Sequence, residues 1–470
     1  MPYKDLREFV DFLNKKGELR VCQKQVDTKI EIARVVDKSS KVGGPAILFK
    51  NVKGFETPVV AGLFGTMDRS FTAIDSNKYD AFKKMAQGLD NPIPPKMVKD
   101  GPCKEVVKTG KDIDLHEIPV LWHHKKDSHY FITTGVCRVR DPDSGVCNSS
   151  INRLAIQGKD WMTIQSNPPH QLGIILSKYL ERGQACSVAI AVGTDPATFA
   201  CSACGIPYGM DEFAFTGGVI GEPLELVKCE TNDLEVPATS ELVIEGEIRP
   251  GDEDGYVGKT EYANEAPFAE ITGYFGKQTR SPVMHVTAIS HRKNYIYHGL
   301  ASAEPPSEHQ VLNCLGMHSN IFVAAKSVVP AENIVAINPL MGACGFGIAI
   351  AIKKKYPGQA RQVIYTLLAQ AAMKKVIVVD PDIDVFNPID LGWAVSYRAT
   401  AEDYIITKEL PGVNLDTTMT TAPNLMSKLG IDATLPLEGD KKGKVEILRE
   451  LGPAKYNDLD SIDLAAYIGE

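Results

Sequence analysis

The chain has 470 residues, 44% of them hydrophobic, so it can bury more than one core and is predicted to form two or three domains. Its formal net charge of -8 argues against nucleic acid or an anionic membrane surface as the main partner. No apolar run approaches the roughly 20 residues that span a bilayer, and the N-terminus lacks the apolar core of a signal peptide. We therefore expect a cytoplasmic protein with no membrane partner.

The first hundred residues alternate helical and strand patterns. Apolar residues at helical spacing predict one helix from Leu6 and another around Ile30, while short apolar runs predict strands over 46–49 and 59–63. The proline-rich segment 91–96 is typical of a boundary between domains. These patterns predict a small N-terminal α/β domain.

Strand patterns dominate from about residue 115 to residue 300, which favours a barrel or sandwich. The predicted strands cover 130–140, 151–156, 187–192, 242–248 and 283–290. A helical run follows Pro305 and continues to Ala325. The last part of the chain predicts an α/β unit, with a helix over 359–375 that leads into a strand over 376–379.

The ten cysteines are scattered, as expected for reduced thiols. Cys201 and Cys204 have the C-x-x-C spacing of redox and zinc sites, but no second pair completes a four-thiolate cage. We interpret the two as small buried residues.

Two carboxylates lie five residues apart, at Glu265 and Glu270, in an apolar segment that Pro267 keeps out of helical geometry. Desolvation and mutual repulsion can give two such acids different proton affinities, as proton transfer near neutral pH requires. A surface loop with two acids is the alternative, because acidic residues are common in loops.

Three further side chains offer the donor set of a divalent cation. Asn148, His170 and Glu225 supply an amide oxygen, an imidazole and a carboxylate, which suit Mn²⁺ or Mg²⁺. They lie dozens of positions apart, and a lone histidine is more often a satisfied core or surface residue. Spacing alone therefore leaves this metal site open.

Several motifs together resemble the UbiD-type decarboxylases, which depend on prenylated FMN. They are N-x-x-x-x-R from Asn148, P-L-E-L-V-K-C from Pro223, E-x-P-F-x-E-x-x-G-Y from Glu265, and the C-terminal stretches 378–384 and 391–394. The resemblance covers nearly the whole chain. It implies an α+β fold with a central split β-barrel flavin-binding domain between two α/β domains. The implied limits are 1–112 for the N-terminal domain, 113–304 for the barrel, 305–330 for a linking helix, and 331–470 for a C-terminal oligomerisation domain.

The resemblance also implies site residues. Arg153, Glu265 and Glu270 correspond to a catalytic Glu-Arg-Glu network in which Glu270 protonates the carbon that loses CO₂. Asn148, His170 and Glu225 correspond to the ligands of a Mn²⁺ (or Mg²⁺) ion at the cofactor phosphate, with K⁺ (or Na⁺) nearby. The stretches that match cofactor-lining segments contain Ile151, Asn152, Arg153, Gln165, Ser166, Asn167, His170 and Gln171.

The implied function is reversible non-oxidative decarboxylation of an aromatic, heteroaromatic or α,β-unsaturated carboxylic acid. The implied partners are this acid, CO₂, a flavin prenyltransferase that supplies the cofactor, and further copies of the chain in a homodimer or homohexamer. A carboxylase acting on a phenol-like compound and a non-catalytic subunit of such a complex are alternatives. The intact Arg153, Glu265 and Glu270 argue against the non-catalytic subunit.

Three local features carry further expectations. Period-two alternation would put Asn148 and Arg153 on opposite strand faces, so a bulge or turn is required at Ser150 or Asn152. The glycines of 341–347 could indicate an NAD-binding loop, but their G-x-x-G-x-G spacing does not match. The histidines at positions 123, 124 and 129 could line a pocket; exposed loop positions are favoured.

Overall fold

The computed structural model of the protein describes residues 2–166, 170–276, 279–413, 415–416, 418–419, 424–437, 454, 461–463 and 465–468. Its helices are α1 (Leu6–Lys15), α2 (Glu31–Lys41), α3 (Met67–Ala73), α4 (Ala81–Asp90), α5 (Gln171–Glu181), α6 (Pro196–Cys201), α7 (Glu212–Ile220), α8 (Glu308–Ala325), α9 (Gln359–Leu368), α10 (Pro388–Arg398) and α11 (Ala465–Ile468). Within these ranges, no helix is long and apolar enough to cross a membrane.

The strands follow in chain order. They are β1 (Leu19–Cys22), β2 (Ala46–Phe49), β3 (Val59–Ala61), β4 (Lys96–Met97), β5 (Val106–Thr109), β6 (Phe131–Ile132), β7 (Val136–Arg140), β8 (Cys147–Ile151), β9 (Leu154–Ile156), β10 (Trp161–Ile164), β11 (Cys186–Val192), β12 (Glu225–Lys228), β13 (Glu235–Pro237), β14 (Leu242–Ile248), β15 (Pro250–Gly255), β16 (Gly258–Thr260), β17 (Tyr262–Asn264), β18 (Arg280–His291), β19 (Tyr297–His298), β20 (Ile334–Pro339), β21 (Gly347–Ile352), β22 (Lys375–Val379), β23 (Tyr404–Pro411) and β24 (Leu425–Ala433).

The N-terminal region forms a small α/β layer. Helix α1 begins where the Asp5 side chain accepts a hydrogen bond from the Glu8 amide at 2.9 Å, and its apolar stripe is buried as predicted. The sheet order is β1-β2-β3-β19. Because β19 comes from residues 297–298, the chain returns to this sheet after the whole middle region.

The middle region is built on a ten-stranded sheet with the order β6-β9-β10-β18-β14-β11-β7-β8, in which β5 and β17 also pair with β18. The predicted strand over 130–140 is divided into β6 and β7, and the one over 151–156 begins instead as the end of β8. The strand is interrupted between β8 and β9 at Asn152, whose side chain donates to the Ser150 hydroxyl at 2.9 Å. This confirms the predicted break between Asn148 and Arg153.

The C-terminal region carries a five-stranded sheet with the order β20-β21-β22-β24-β23. The helix predicted over 359–375 was too long, because α9 ends at Leu368. The buried Lys428 ammonium ends it by donating to the carbonyls of Leu368 at 3.0 Å and Gln370 at 2.6 Å. The glycines of 341–347 join the antiparallel strands β20 and β21 with no α-helix between them, unlike a dinucleotide-binding turn.

All ten cysteines are free, and Cys201 and Cys204 are buried as small core residues, as predicted. The region predicted to be mainly strands also contains α5, α6 and α7. A mixed α+β architecture with several sheets is thereby confirmed.

A buried ion network fastens α1 to the middle region. The Glu241 carboxylate is fully buried and accepts two hydrogen bonds from Arg7, at 2.7 and 2.9 Å, and one from Arg292 at 3.2 Å. We expect Glu241→Gln to lower the free energy of unfolding by about 3 kcal/mol, because it removes one of the two carboxylates, Glu241 and Asp5, that neutralise Arg7 and the buried Arg292. The matched control is Glu235→Gln, since Glu235 forms a partly exposed pair with Arg140 worth at most about 1 kcal/mol. Equal losses in denaturant titrations would contradict this.

Candidate active site

Arg153 lies just after the break that ends β8, and its guanidinium bridges two carboxylates. Its Nε and Nη2 donate to Glu265 at 2.5 and 3.0 Å, and its Nη1 donates to Glu270 at 2.6 Å. The guanidinium carbon lies 5.0 Å from the centre of the Phe268 ring. The structure therefore brings the three predicted catalytic residues together in one hydrogen-bonded cluster.

The two carboxylates differ in their access to solvent. Glu265 is fully buried and is gripped by two guanidinium nitrogens, whereas 11% of the Glu270 side chain is exposed. The Glu265 backbone is fixed from both sides, since its amide donates to the Thr279 carbonyl and its carbonyl accepts from the Ser128 hydroxyl at 2.7 Å. Of the two acids, Glu270 is the one that a bound molecule can reach.

The two carboxylates keep the Arg153 guanidinium protonated. Burial by itself would lower the pKa of the Arg153 guanidinium, but Glu265 and Glu270 outweigh burial and raise this pKa above its usual value. One permanent positive charge thus stands between two carboxylates, so the cluster has a net charge of -1 when both acids are ionised and becomes neutral when it takes up one proton. Such an arrangement can accept and deliver a single proton.

A second cluster lies at the start of β8, around Asn148. The Asn148 amide nitrogen donates to the carboxylate of Glu212 at 2.8 Å, and the backbone amide of Ser149 donates to the same carboxylate at 2.6 Å. Glu212 is the first residue of α7 and is buried, which raises its pKa to about 8. Among the described residues, the side-chain hydrogen bonds of Asn148 connect it to Ser150, Gln171 and Glu212, and none reaches Glu225.

Glu225 lies elsewhere in the fold. It begins β12 in a separate three-stranded sheet, where its half-exposed side chain forms an ion pair with Lys96 at 2.9 Å. The structure therefore does not bring Glu225 to Asn148, and Glu212 is the carboxylate it places there. The signal for Glu212 in the sequence is an acidic residue that directly precedes a run of apolar and small residues, F-A-F-T-G-G-V-I, six of which become buried.

The nearby charges are already paired. Arg138 donates to both carboxylate oxygens of Asp211, at 2.9 and 2.8 Å, and also to the Ser149 hydroxyl at 2.7 Å. Glu212 therefore receives hydrogen bonds from amides only, and no arginine or lysine of the described residues donates to it. A buried carboxylate in this setting has the oxygen donors that a hard metal cation requires.

The predicted cofactor-lining residues that the structure describes lie at the end of β8, after β10 and at the start of α5. Ile151 and Asn152 sit at the break after β8, and Gln165 follows β10, with its amide donating to the Arg153 carbonyl at 3.2 Å. Ser166 is buried, and its hydroxyl has no hydrogen-bond partner among the described residues. His170 precedes α5 and is exposed; the adjacent Gln171 accepts from Asn148 at 3.5 Å. Asn167 lies outside the described residues.

The preference for exposed loop histidines was wrong. His123 is buried and packs edge-to-face with Phe268, with the two ring centres 5.4 Å apart. Burial lowers the pKa of His123 to about 4. His124 packs against Phe275 at 5.7 Å, and His129 is only partly exposed. The loop that carries them folds onto the segment with the two acids, a long-range contact that residue type alone does not indicate.

Comparisons with known proteins support one family. Models of the 3-octaprenyl-4-hydroxybenzoate carboxy-lyase (UbiD) family match in three parts: the N-terminal domain at residues 10–89, the Rift-related domain at 96–305 and the C-terminal domain at 312–433. An uncharacterised protein of Archaeoglobus fulgidus is 35% identical, with 92% of each chain covered.

Solved structures support the same family. The UbiD-class enzyme HmfF from Pelotomaculum thermopropionicum, in complex with FMN, is 33% identical, with a TM-score of 0.88 over 99% of this chain and 100% of that one. Vanillic acid decarboxylase from Sedimentibacter hydroxybenzoicus is 28% identical, with a TM-score of 0.85 over 98% and 97% of the two chains. With three matching domains and relatives this similar over nearly their whole length, the chain belongs to the UbiD family of carboxy-lyases.

Proposed function

We propose that the protein catalyses reversible non-oxidative decarboxylation of an aromatic, heteroaromatic or α,β-unsaturated carboxylic acid with prenylated FMN. The observation that carries this proposal is the buried Arg153 held between Glu265 and Glu270 at 2.5 to 3.0 Å. HmfF, which is 32% identical in an evolved dimeric form solved with prenylated FMN, supports the choice of cofactor.

The residues beside Arg153 fit a flavin. The buried Ser166 hydroxyl lacks a partner among the described residues, as a group that waits for a ligand would, and Gln165 is tied to the Arg153 backbone. When bound, prenylated FMN supplies the electron sink that no amino-acid side chain provides for decarboxylation. Arg153 then offers a fixed positive charge for the substrate carboxylate.

Glu270 is the proton donor in this proposal. Its side chain keeps 11% of its surface accessible, whereas that of Glu265 is fully buried, and Arg153 holds Glu270 through one oxygen only. Glu265 uses both of its oxygens on Arg153. Glu265 thus balances the charge of the guanidinium, while Glu270 can turn a protonated oxygen toward the reacting carbon.

We propose that a metal binds at the second cluster, with Asn148 and Glu212, which are in contact, and His170, whose neighbour Gln171 accepts from Asn148, as its protein ligands. We propose Glu212 in place of Glu225, because Glu212 is the carboxylate in contact with Asn148. A half-turn of the Asn148 amide would exchange its oxygen and nitrogen and present the oxygen to a cation. Two oxygen ligands and one imidazole suit Mn²⁺ or Mg²⁺ at a phosphate, and a monovalent K⁺ or Na⁺ would share that negative charge.

The domain arrangement, the assembly and the source of the cofactor are also proposed. We propose that the ten-stranded sheet forms the split barrel of a flavin-binding domain over 113–304, with its strand β5 contributed by the flanking domain over 1–112. A linking segment over 305–330 and a domain over 331–470 follow. The chain assembles as a homodimer or homohexamer and receives its cofactor from a flavin prenyltransferase. The test of function is production together with such a prenyltransferase, followed by measurement of CO₂ release from a panel of aromatic and unsaturated acids.

A further inference from the structure

A helix outside the acidic segment holds the turn on which Glu270 sits. Gln310, in the first turn of α8, is fully buried, and its side-chain nitrogen donates to the carbonyls of Ile271 at 2.6 Å and Ala303 at 2.7 Å. Ile271 directly follows Glu270, so the Gln310 amide is bonded to the peptide group that joins Ile271 to Thr272, one residue beyond this acid. Nothing in the chemistry proposed above uses Gln310.

The hydrogen bonds within the turn fix its shape but not its place. The Glu270 amide donates to the Tyr274 carbonyl at 2.8 Å, and the Gly273 amide donates back to the Glu270 carbonyl at 2.9 Å. Both bonds would move with the turn as one piece. Its distance from Arg153 must therefore be set by contacts with other elements, and those contacts reach the carbonyls on either side of Glu270.

Gln310 is one of three described residues that make these outside contacts, with Ser302 and Cys344. Its oxygen accepts from the Ser307 hydroxyl and its nitrogen makes two hydrogen bonds, so the buried amide is satisfied on both sides and held in one orientation. The Ser302 hydroxyl holds the Ala269 carbonyl at 2.9 Å, and the Cys344 thiol lies 3.1 Å from the Ile271 carbonyl.

The Glu270 carboxyl packs closely against Gly276. A side-chain carbon placed on Gly276 would lie 2.5 Å from Glu270 Oε1, which is closer than any van der Waals contact. A small shift of the turn would thus change both the Glu270 contacts and the 2.6 Å bond to Arg153. Misplacement of a catalytic group by about 1 Å can cost about 10²-fold in rate.

We propose that Gln310 is a positioning residue for Glu270, which sets the place of the proton donor by fixing the Ile271 carbonyl. This inference rests on the proposed function, in which Glu270 delivers the proton. Glu265 is held separately by Ser128 and by the Thr279 carbonyl, so loss of the Gln310 amide should affect Glu270 and spare the Arg153–Glu265 pair.

The test is Gln310→Met, which keeps the length of the side chain and removes both donors. We expect kcat to fall at least about tenfold with KM changed by less than about twofold, because Arg153, still paired with Glu265, remains in place to bind the substrate carboxylate. In the cofactor-free protein, hydrogen–deuterium exchange within residues 266–276 should become at least about tenfold faster, since the turn loses its anchor.

Two other variants keep the test decisive. Gln359→Met is the matched control, because Gln359 is also buried in the first turn of a helix and donates to a carbonyl, that of Val328 at 3.1 Å, away from the site. It should leave kcat and exchange in 266–276 unchanged. If Gln310→Met does not fold, Ser307→Ala removes only the hydroxyl that orients the amide and should give a smaller change in the same direction.

The outcomes separate the inference from the proposed function. Unchanged exchange in 266–276, or an equal loss of kcat in Gln359→Met, would overturn the role of Gln310. If the unmodified protein carries prenylated FMN and decarboxylates none of the acids, the proposed function fails. The exchange measurement needs neither cofactor nor substrate, so it still decides whether Gln310 places the turn.

Discussion

Replacing Glu270 by glutamine is expected to leave cofactor binding intact and to lower turnover by at least about 10²-fold, the usual cost of a missing general acid. The glutamine amide can still contact Arg153 but has no proton to deliver to carbon. In deuterated solvent, the unmodified protein should place deuterium on the carbon that lost CO₂. In Glu270→Gln this incorporation should slow by the same factor as turnover, as followed by mass spectrometry of the product.

Glu265→Gln is the comparison variant. It should also lower activity, because the charge that balances Arg153 is lost, but the proton donor remains. Since Glu265 is fully buried and bonded through both oxygens, its replacement should disturb substrate binding as well as turnover. Deuterium incorporation at the unmodified rate in Glu270→Gln would eliminate Glu270 as the acid and leave Glu265 as the next candidate.

The second large effect is expected at the proposed metal site. Glu212→Gln should lower the affinity for Mn²⁺ by at least about 100-fold, because it removes the anionic ligand that contacts Asn148. Flavin retention should fall with it, since the ion would join the cofactor phosphate to the protein. The measurement is the metal and flavin content of the purified protein, by elemental mass spectrometry and absorbance.

Glu225→Gln tests the carboxylate that the resemblance suggested. Glu225 is half-exposed and paired with Lys96, so its replacement should leave metal and flavin content unchanged. The reverse pattern, with metal lost in Glu225→Gln and kept in Glu212→Gln, would restore Glu225 as the ligand and exclude Glu212. Because both variants exchange a carboxylate for an amide of equal size, the comparison isolates position from chemistry.

Local patterns were sufficient for much of the fold. The amphipathic stripe of α1, the strand over 242–248 and the break at Asn152 follow from periodicity and from the alternation of strand faces. The end of α9 did not follow, because a lysine some 60 residues later, Lys428, caps it. Propensity along the chain contains no information about such a distant contact.

The same distinction holds in the site. Arg153, Glu265 and Glu270 were predicted from motifs that the chain shares with a family, and the structure brings them together. Glu212 was missed because a single acid before an apolar run has no motif of its own, and its meaning lies in the contact with Asn148. His123 likewise became a buried neutral residue through the packing of its loop.

We propose that this chain uses prenylated FMN, beside Arg153 and its two acids, to remove CO₂ from an aromatic or unsaturated acid. The most direct test is to produce the protein with a flavin prenyltransferase and to measure CO₂ release from a panel of such acids, with a preparation loaded only with FMN alongside. We expect the prenylated preparation to release CO₂ from at least one acid and the FMN preparation to release none. Equal release by both, or retention of prenylated flavin without release from any acid, would contradict it.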